Sequence, residues 1–468
     1  MNGQSIIDKL WSSHRVMKCT DAADLLYIDR IFLHERTGSI ALQSLGRAGF
    51  SVRCPSRVFA TMDHIVDTQP GRTDATRVPN GTEFIQATRE SARAAGITLF
   101  DIGDKDQGIA HVVSPELGIA LPGLTLVCPD SHTGTLGGLG ALAWGIGSTD
   151  AGHALATQTL VVKRPQQMRV RFNGSLRPGV TAKDLILRLI AQYGAGGGKN
   201  MAIEFSGNAI TQLPVEGRLT LCNMAVEFGA WTGVIAPDDK TIEYVHGKRF
   251  APQGAAWDSA VVAWRALPSD ETAVFDAQLE VDISELGPQV TWGTSPQHVT
   301  GVGGRVPSAS ANTNASNRDS IERALQYMQL EPGQPLASLA VDAAFIGSCT
   351  NARLSDLREA AAILDGRKVA PGVRALCVPG SSAVKRAAEA EGLDAIFRAA
   401  GFEWRESRCS LCFYAGGEGF EPGARVISST NRNFEGRQGP ATRTHLASPA
   451  TVAASAVLGR IGGAEELQ

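Results

Sequence analysis

The stretch "VDAAFIGSCTNARLSDLREAAAIL", residues 341–364, indicates the fold class. A short apolar run ends in a polar loop that carries Cys349, and the loop leads into a segment with helical periodicity. The apolar positions that share one face of this predicted helix are Leu354, Leu357, Ala361 and Leu364. Cys349 is therefore predicted to lie between a strand and a helix.

The same order of apolar run, polar loop and helical pattern recurs along the chain. It is present in "LTLVCPDSHTG" (124–134), "RALCVPGSS" (374–382) and "ARVISSTNRN" (424–433). This alternation predicts an α/β chain with largely parallel sheets. Ligands of such sheets bind at the carboxyl ends of the strands, which is where these polar loops are expected.

Composition excludes several classes of protein. With 468 residues and 43% hydrophobic residues, the chain can form more than one core. The net charge of -3, with no basic run, argues against nucleic acid as a main partner. The start "MNGQSIIDKLWSSHRV" has no signal-peptide pattern, and no apolar run approaches about 18 residues, so we expect a cytoplasmic protein without membrane association.

Two composition breaks divide the chain. The segment 294–320 is rich in Gly, Pro, Ser and Asn, and a softer break falls at "VVKRPQQ", residues 161–167. The predicted domains are 1–165, 166–293 and 294–468.

Cysteine spacing leaves several kinds of site open. The eight cysteines are too sparse for a disulfide scaffold. Cys409-x-x-Cys412 is compatible with a redox pair, half a zinc site, part of an iron–sulfur cluster or two buried thiols. Structural zinc normally has four protein ligands, whereas a cubane held by these two cysteines and Cys349 would leave one iron open.

Histidines and carboxylates form a second pattern. "TMDHIVDT" (61–68), "GIAHVVSPELG" (108–118) and "CPDSHTG" (128–134) each contain a histidine, and two of these follow an aspartate closely. A carboxylate beside an imidazole fixes its tautomer and raises its pKa, as acid–base catalysis requires, although each histidine could equally cap a turn. In "LTLCNMAVEFGAW" (219–231), Asn223 and Glu227 would share a face if the stretch is helical.

A third pattern suits carboxylate binding. "STNRNFEGRQG" (429–439) places Arg432 and Arg437 among asparagines and glycines. Guanidinium groups bind carboxylates through two parallel hydrogen bonds, while a solvated surface loop is the alternative interpretation.

Taken together, these motifs resemble the aconitase superfamily over nearly the whole chain. They occur in the order "TMDH", "SPELG", "DSHTGTLGGLGALAWGIGSTD", "CNMAVEFGA", "TWGTSPQ", "FIGSCTNARLSDLREAA", "CSLC" and "NRNFEGRQGP". The nearest resemblance is to the large subunits of 3-isopropylmalate dehydratases. It implies a three-domain aconitase-like α/β architecture without the fourth, swivelling domain of single-chain members.

The resemblance also implies the site residues. Cys349, Cys409 and Cys412 match the ligands of a 4Fe-4S cluster, one per chain, whose open iron binds the substrate. The residues that match carboxylate–imidazole pairs are Asp63 with His64, Asp130 with His111, and Glu227 with His132. Those that match substrate-binding or cluster-supporting positions are Ser131, Asn223, Asn431, Arg432 and Arg437.

The activity implied is reversible dehydration of a small hydroxy-dicarboxylate, interconverting 2- and 3-isopropylmalate in leucine biosynthesis. The alternative is another malate-like acid, such as citraconate or 2-methylmalate, homoaconitate or a secondary-metabolite precursor. Arg408, Pro129 and "FYAGGEGF" (413–420) depart from the pattern of the isopropylmalate enzymes. Two other classes are an RNA-binding apo-protein, which the acidic balance disfavours, and an electron carrier, which would need four cluster ligands.

A partner is also implied. Single-chain members of the superfamily continue into the swivelling domain, which carries a serine base and a further arginine, whereas this chain ends soon after "GRQGP". We therefore expect a separate small subunit that supplies this domain.

Overall fold

The computed structural model describes residues 3–311 and 315–467, so part of the predicted 294–320 linker, residues 312–314, lies outside the described residues. The described residues divide into two compact units, each made of several chain segments. Unit 1 comprises Met1–Val66, Asn80–Ser175 and Gly196–Ile283; unit 2 comprises Asp67–Pro79, Leu176–Ala195 and Ser284–Gln468.

The strands, in chain order, are β1 Arg15–Lys18, β2 Ala23–Tyr27, β3 Arg30–His34, β4 Val58–Thr61, β5 Thr98–Phe100, β6 Thr125–Cys128, β7 Leu142–Gly145, β8 Thr159–Lys163, β9 Gln167–Asn173, β10 Ala202–Ser206, β11 Thr232–Val234, β12 Ala277–Asp282, β13 Gln289–Thr291, β14 Val299–Gly301, β15 Ala343–Ile346, β16 Arg374–Cys377, β17 Phe402–Trp404, β18 Arg425–Ser428 and β19 Arg443–Leu446.

The α-helices are α1 Ile6–His14, α2 Gly38–Arg47, α3 Gly81–Ala95, α4 Ala110–Glu116, α5 Ser148–Thr157, α6 Ala182–Tyr193, α7 Asn208–Gln212, α8 Val215–Asn223, α9 Asp239–Val245, α10 Ala255–Arg265, α11 Ala315–Met328, α12 Leu354–Leu364, α13 Ser382–Ala390, α14 Leu393–Ala400 and α15 Pro449–Leu458. No helix within the described ranges is long and apolar enough to cross a membrane.

Unit 1 contains two parallel sheets and one antiparallel sheet. The first parallel sheet has the order β5-β4-β3-β6-β7, and the second has the order β11-β10-β9-β12. β1, β2 and β8 form the antiparallel sheet. All residues of β4 and β6 are buried, as expected for strands covered on both faces.

Unit 2 is organised around one parallel sheet of order β17-β16-β15-β18-β19. It also contains the antiparallel hairpin β13-β14, which precedes this sheet in the sequence. The apolar runs predicted as strands form β6, β15, β16 and β18, so the α/β class with parallel sheets is confirmed. Each predicted domain contains one parallel sheet, although residues 166–175 and 196–283 group with unit 1. The boundaries at 165/166 and 293/294 remain predictions.

His445 in β19 is a buried histidine held in its neutral form. Its Nδ1 lies 2.7 Å from the carbonyl oxygen of Thr291 and its Nε2 lies 3.0 Å from a guanidinium nitrogen of Arg425. Because a guanidinium only donates, Nε2 must accept and Nδ1 must carry the proton. Burial, together with the Arg425 charge, lowers the pKa of His445 to about 3.

This histidine predicts how stability depends on pH. Between pH 6.5 and roughly 4, His445 is protonated in the unfolded chain and neutral in the folded chain. For each unit by which the pH decreases over this range, this residue lowers the free energy of unfolding by about 1.4 kcal/mol. Urea unfolding at several pH values should show the slope, and His445→Gln should reduce it. The exposed His153 is the control; an equal change of slope in His153→Gln would contradict the assignment.

Candidate functional site

The three predicted cluster cysteines lie in loops of unit 2. Cys349 follows β15, Cys409 caps the start of the short 3-10 turn Ser410–Cys412, and Cys412 is the last residue of that turn. All three are buried, with exposures of 3%, 4% and 7%. Ser348 and Ser410, adjacent to two of them, have φ values of 79° and 49°, in the left-handed region that costs energy for a non-glycine residue. The backbone therefore holds these thiols in specific orientations.

Asn431 brings two of the loops together. It is fully buried after β18, and its Nδ2 donates to Sγ of Cys349 at 3.5 Å. Its Oδ1 lies 3.9 Å from Sγ of Cys412. The backbone nitrogen of Cys412 donates to the carbonyl oxygen of Cys409 at 3.1 Å, which closes the turn of the pair. The thiols of Cys349 and Cys412 therefore contact the same amide side chain.

The donor set fits a cluster better than a single ion. Within the described residues, the one group whose ligand atoms could all reach a single metal ion is His34, Glu35, Asp63 and His64, and it includes no cysteine. A cubane binds each thiolate through a different iron, so its ligands need not surround one point. Three buried thiols, one of them receiving an amide N–H, are the groups that could hold it.

The stretch "FYAGGEGF" (413–420), which differs from the pattern of the isopropylmalate enzymes, contributes to the turn that contains Cys409 and Cys412. Its Glu418 is 8% exposed and accepts hydrogen bonds from Ser410 Oγ at 3.0 Å and from Thr68 Oγ1 at 2.9 Å. Ser410 lies between the paired cysteines. The departure from the family pattern therefore supports the turn, because a buried carboxylate fixes the hydroxyl of a residue in the left-handed conformation.

Arg437, a predicted carboxylate-binding residue, lies beside two aromatic rings. Its guanidinium lies 5.8 Å from the ring centre of Phe413 and 6.0 Å from that of Phe434. Its Nε is buried and has no hydrogen-bond partner in the described part of the chain. Arg432 is half-buried, whereas Asn433 donates to Gly293 O at 2.6 Å and is structural. Arg437 therefore has one donor that no described protein group satisfies.

Replacing Arg437 by lysine is expected to raise the KM for substrate in the assembled enzyme by roughly tenfold or more, because a planar two-donor group becomes a point charge. The melting temperature of the isolated chain should change little. Arg358→Lys is the control, since Arg358 pairs with Glu391 on the surface at 2.5 Å. Kinetics of Arg437→Lys equal to those of this control would show that Arg437 binds no substrate.

In unit 1, carboxylates at strand ends connect the predicted histidines. Asp63 follows β4 and its Oδ1 lies 2.6 Å from His64 Nδ1. Asp130 follows β6; its Oδ2 lies 3.2 Å from His64 Nε2 and its Oδ1 lies 3.0 Å from His111 Nε2. Asp130 Oδ1 also accepts from the backbone nitrogen of His132 at 2.7 Å. A continuous network therefore runs from Asp63 to His111, with Asp130 at its centre.

The third pair joins two separate turns. Glu227 Oε1 lies 3.0 Å from His132 Nε2, and both side chains are buried. Asn223 and Glu227 were expected to share a face if the stretch is helical, and this condition is not met, because α8 ends at Asn223 and Glu227 lies in the 3-10 turn Val226–Phe228. Asn223 Nδ2 instead donates to Thr135 Oγ1 at 2.8 Å. Both residues thus contact the 3-10 segment Ser131–Leu139.

Electrostatics favour a proton on His64. Burial lowers its pKa, but the charge of Asp63 and hydrogen bonds to Asp63 and Asp130 raise it well above the usual value. For Asp130, burial raises the pKa, while the charges and hydrogen bonds of the surrounding histidines, His111 foremost, hold it well below the usual range. At neutral pH His64 is therefore an imidazolium between the carboxylates of Asp63 and Asp130.

Glu35 and His34 were not predicted. Glu35 is fully buried and accepts from the backbone nitrogens of Asp63, His64 and Ile65 at 3.0, 2.7 and 2.5 Å. The ring of His34 stacks on that of His64 with centroids 4.0 Å apart. Both residues end an apolar run, "IFLHE", and this strand-end position is the signal that could have identified them.

The structure thus shows the three predicted carboxylate–imidazole pairs as contacts. Ser131 is exposed beside them, with Oγ 3.4 Å from His132 Nδ1. The catalytic and binding roles of these residues remain predictions.

Known proteins supply the context for this geometry. A curated relative named 3-isopropylmalate dehydratase large subunit 1, from Bradyrhizobium diazoefficiens, is 53% identical over 466 residues, covering 100% of this chain and 97% of that protein. The 3-isopropylmalate dehydratase large subunit of Roseiflexus castenholzii is 49% identical over 97% of this chain and 98% of that protein.

Among solved structures, aconitase X of Thermococcus kodakaraensis in its holo-form aligns over 87% of this chain and 84% of that chain, with 14% identity and a TM-score of 0.47. The family model for aconitases (aconitate hydratase) matches residues 8–459. This match and the two relatives confirm the resemblance inferred from the motifs. The chain belongs to the aconitase family.

Proposed function

We propose that the chain is the large subunit of a 3-isopropylmalate dehydratase, which interconverts 2- and 3-isopropylmalate by loss and return of water in leucine biosynthesis. The observation that carries the proposal is the 53% identity to a protein of that name over the full length of this chain. The proposed cellular location is the cytoplasm.

The proposed cofactor is one 4Fe-4S cluster held by Cys349, Cys409 and Cys412. When bound, it would supply a Lewis-acidic iron that weakens the bond to the departing hydroxyl. This cofactor assignment is supported by the burial of the three thiols and by the position of Asn431 between two of them.

The histidine network would manage protons. His64 holds a proton at neutral pH between Asp63 and Asp130, so it can donate to the departing oxygen and recover the proton when water returns. Asp130 fixes the orientation of His64 and His111 through separate carboxylate oxygens. Glu227 does the same for His132.

Arginine would bind the substrate carboxylates. The guanidinium of Arg437, whose Nε has no hydrogen-bond partner in the described part of the chain, is suited to a carboxylate next to the developing carbanion, which it would stabilise. The proposed partner is a small subunit that supplies the swivelling domain with its serine base and further arginine. The names of both relatives as large subunits support this partnership.

The alternative substrate is another malate-like acid. One observation supports this alternative. Phe413, which belongs to the stretch 413–420 that differs from the isopropylmalate enzymes, lies against the guanidinium of Arg437. A ring at this point would change the space next to one substrate carboxylate.

The test begins with protein purified and reconstituted without oxygen. About four irons per chain with matching sulfide, and a three-iron electron paramagnetic resonance signal after mild oxidation, are expected for an open-iron cluster. The loaded chain, combined with its small subunit, should then convert 2-isopropylmalate with a higher kcat/KM than citraconate or homoaconitate. A higher kcat/KM for citraconate or homoaconitate would replace 2-isopropylmalate as the proposed substrate. A chain that takes up no cluster would overturn the proposed function.

A further inference from the structure

Lys183 is a buried cation in an unusual place. Its side chain is fully buried, and it lies in the first turn of α6, where the helix dipole disfavours positive charge. Burying an ammonium is expensive unless an opposite charge compensates it. No ion pair joins it to a carboxylate among residues 3–311 and 315–467.

The hydrogen bonds of Lys183 go to neutral oxygens. Its Nζ donates to the carbonyl oxygens of Ser429 and Thr430, the latter at 2.5 Å, and to Asn351 Oδ1 at 3.3 Å. Neutral acceptors satisfy the donors but leave the charge without a counter-charge.

The nearby carboxylates are committed to other groups. Asp184 accepts from the backbone nitrogens of Gln289 at 2.7 Å and Thr181 at 2.8 Å. Asp356 accepts from the backbone nitrogen of Arg353 and from Asn351 Nδ2, both at 2.9 Å. These carboxylates interact with the ammonium only at a distance.

The oxygens that Lys183 contacts belong to the two loops that carry the cluster residues. Asn351 lies two residues after Cys349 in the loop that follows β15. Ser429 and Thr430 immediately precede Asn431, which contacts the thiols of Cys349 and Cys412. β15 and β18 are adjacent parallel strands, so one ammonium links the loops at their carboxyl ends.

Thiolates at the cluster site would supply the negative charge that the ammonium of Lys183 lacks as a counter-charge. Burial lowers the pKa of Lys183 to about 7, and negative charge on Asp356, Asp184, Cys349 and Cys412 acts in the opposite direction. Three thiolates give a cluster site negative charge, and the reduction potential of such a site depends on its net charge.

We propose that Lys183 is a positioning residue whose buried ammonium compensates the negative charge of the cluster site and joins its two loops. It thereby makes the reduction potential of the cluster more positive and slows loss of iron. The inference deepens the proposed function, because it depends on a cluster being bound.

The test compares Lys183→Gln, which removes the charge and keeps a donor, with Lys183→Arg, which keeps the charge. Lys240→Gln is the matched control, because Lys240 Nζ also donates to carbonyl oxygens, those of Thr211 at 2.7 Å and Gln212 at 3.0 Å, but is exposed and belongs to unit 1. The readouts are the midpoint potential of the cluster, the rate of iron loss under mild oxidation, and the melting temperature of the cluster-free chain.

Lys183→Gln is expected to shift the midpoint potential to a more negative value and to lose iron about tenfold faster or more, since one charge close to the cluster is removed. Lys183→Arg and Lys240→Gln should keep the wild-type potential. If Lys183→Gln does not fold, Lys183→Met provides the second neutral variant with the same readouts.

A neutral variant that holds a full cluster at the wild-type potential would overturn the inference. So would an equal shift in Lys183→Arg, because geometry and not charge would then set the potential. Failure of the proposed function looks different: the wild-type chain itself would take up no cluster.

Discussion

Cys349→Ser is expected to abolish the intact cluster and to reduce dehydratase activity in the assembled enzyme by at least about 10³-fold, while the chain stays folded. A serine hydroxyl at this position is a much poorer iron ligand than a thiolate, and two cysteines would remain for a cubane that needs three. The measurement is iron and acid-labile sulfide per chain after anaerobic reconstitution, with circular dichroism to check the fold.

Cys377→Ser is the matched control for that experiment. Cys377 is likewise a buried cysteine, and it ends β16, the strand that pairs with β15. Burial raises the pKa of its thiol well above the usual value, which suits a structural residue and not a ligand. Normal cluster content in Cys349→Ser would remove that residue from the ligand set. Cluster loss in both variants would show that a buried hydroxyl in this sheet disturbs the fold.

Local structure was predictable because it depends on neighbouring residues. The apolar spacing of Leu354, Leu357, Ala361 and Leu364 predicted a helix, and α12 spans Leu354–Leu364. The strand before Cys349 was predicted in the same way. The division into units was not predictable, because residues 67–79 and 176–195 group with unit 2 through contacts far apart in sequence. Composition along the chain does not show which distant segments pack into the same unit.

The site was predictable where a motif carries the chemistry itself. Asp63 with His64 and His132 with Glu227 were implied by the family resemblance, and both contacts are present. Residues that act through the backbone were missed. Glu35 matters because the fold brings three backbone N–H groups to its carboxylate, and Lys183 because two loops bring their carbonyl oxygens to it. Nothing in the one-dimensional sequence shows where those backbone groups point.

Asp130→Asn is expected to lower kcat in the assembled enzyme by roughly 10²- to 10⁴-fold, the usual range for acid–base catalysis, with normal cluster content. The amide replaces a carboxylate that contacts His64 and His111 through different oxygens. It can still hydrogen-bond, but it carries no charge to hold a proton on His64. The measurement is kcat against pH, together with iron content and the melting temperature.

The matched control is Asp29→Asn, since Asp29 forms an imidazole–carboxylate contact with His14 at 2.7 Å in the same unit, outside the predicted site. This variant should lose stability but keep kcat per folded molecule. For Asp130→Asn the pH profile gives the sharper test. Loss of its negative charge lowers the pKa of His64, so the limb where activity falls with rising pH should move to lower pH. A lower kcat with an unmoved limb would mean that Asp130 only positions the rings, and an unchanged kcat would mean that the network is structural.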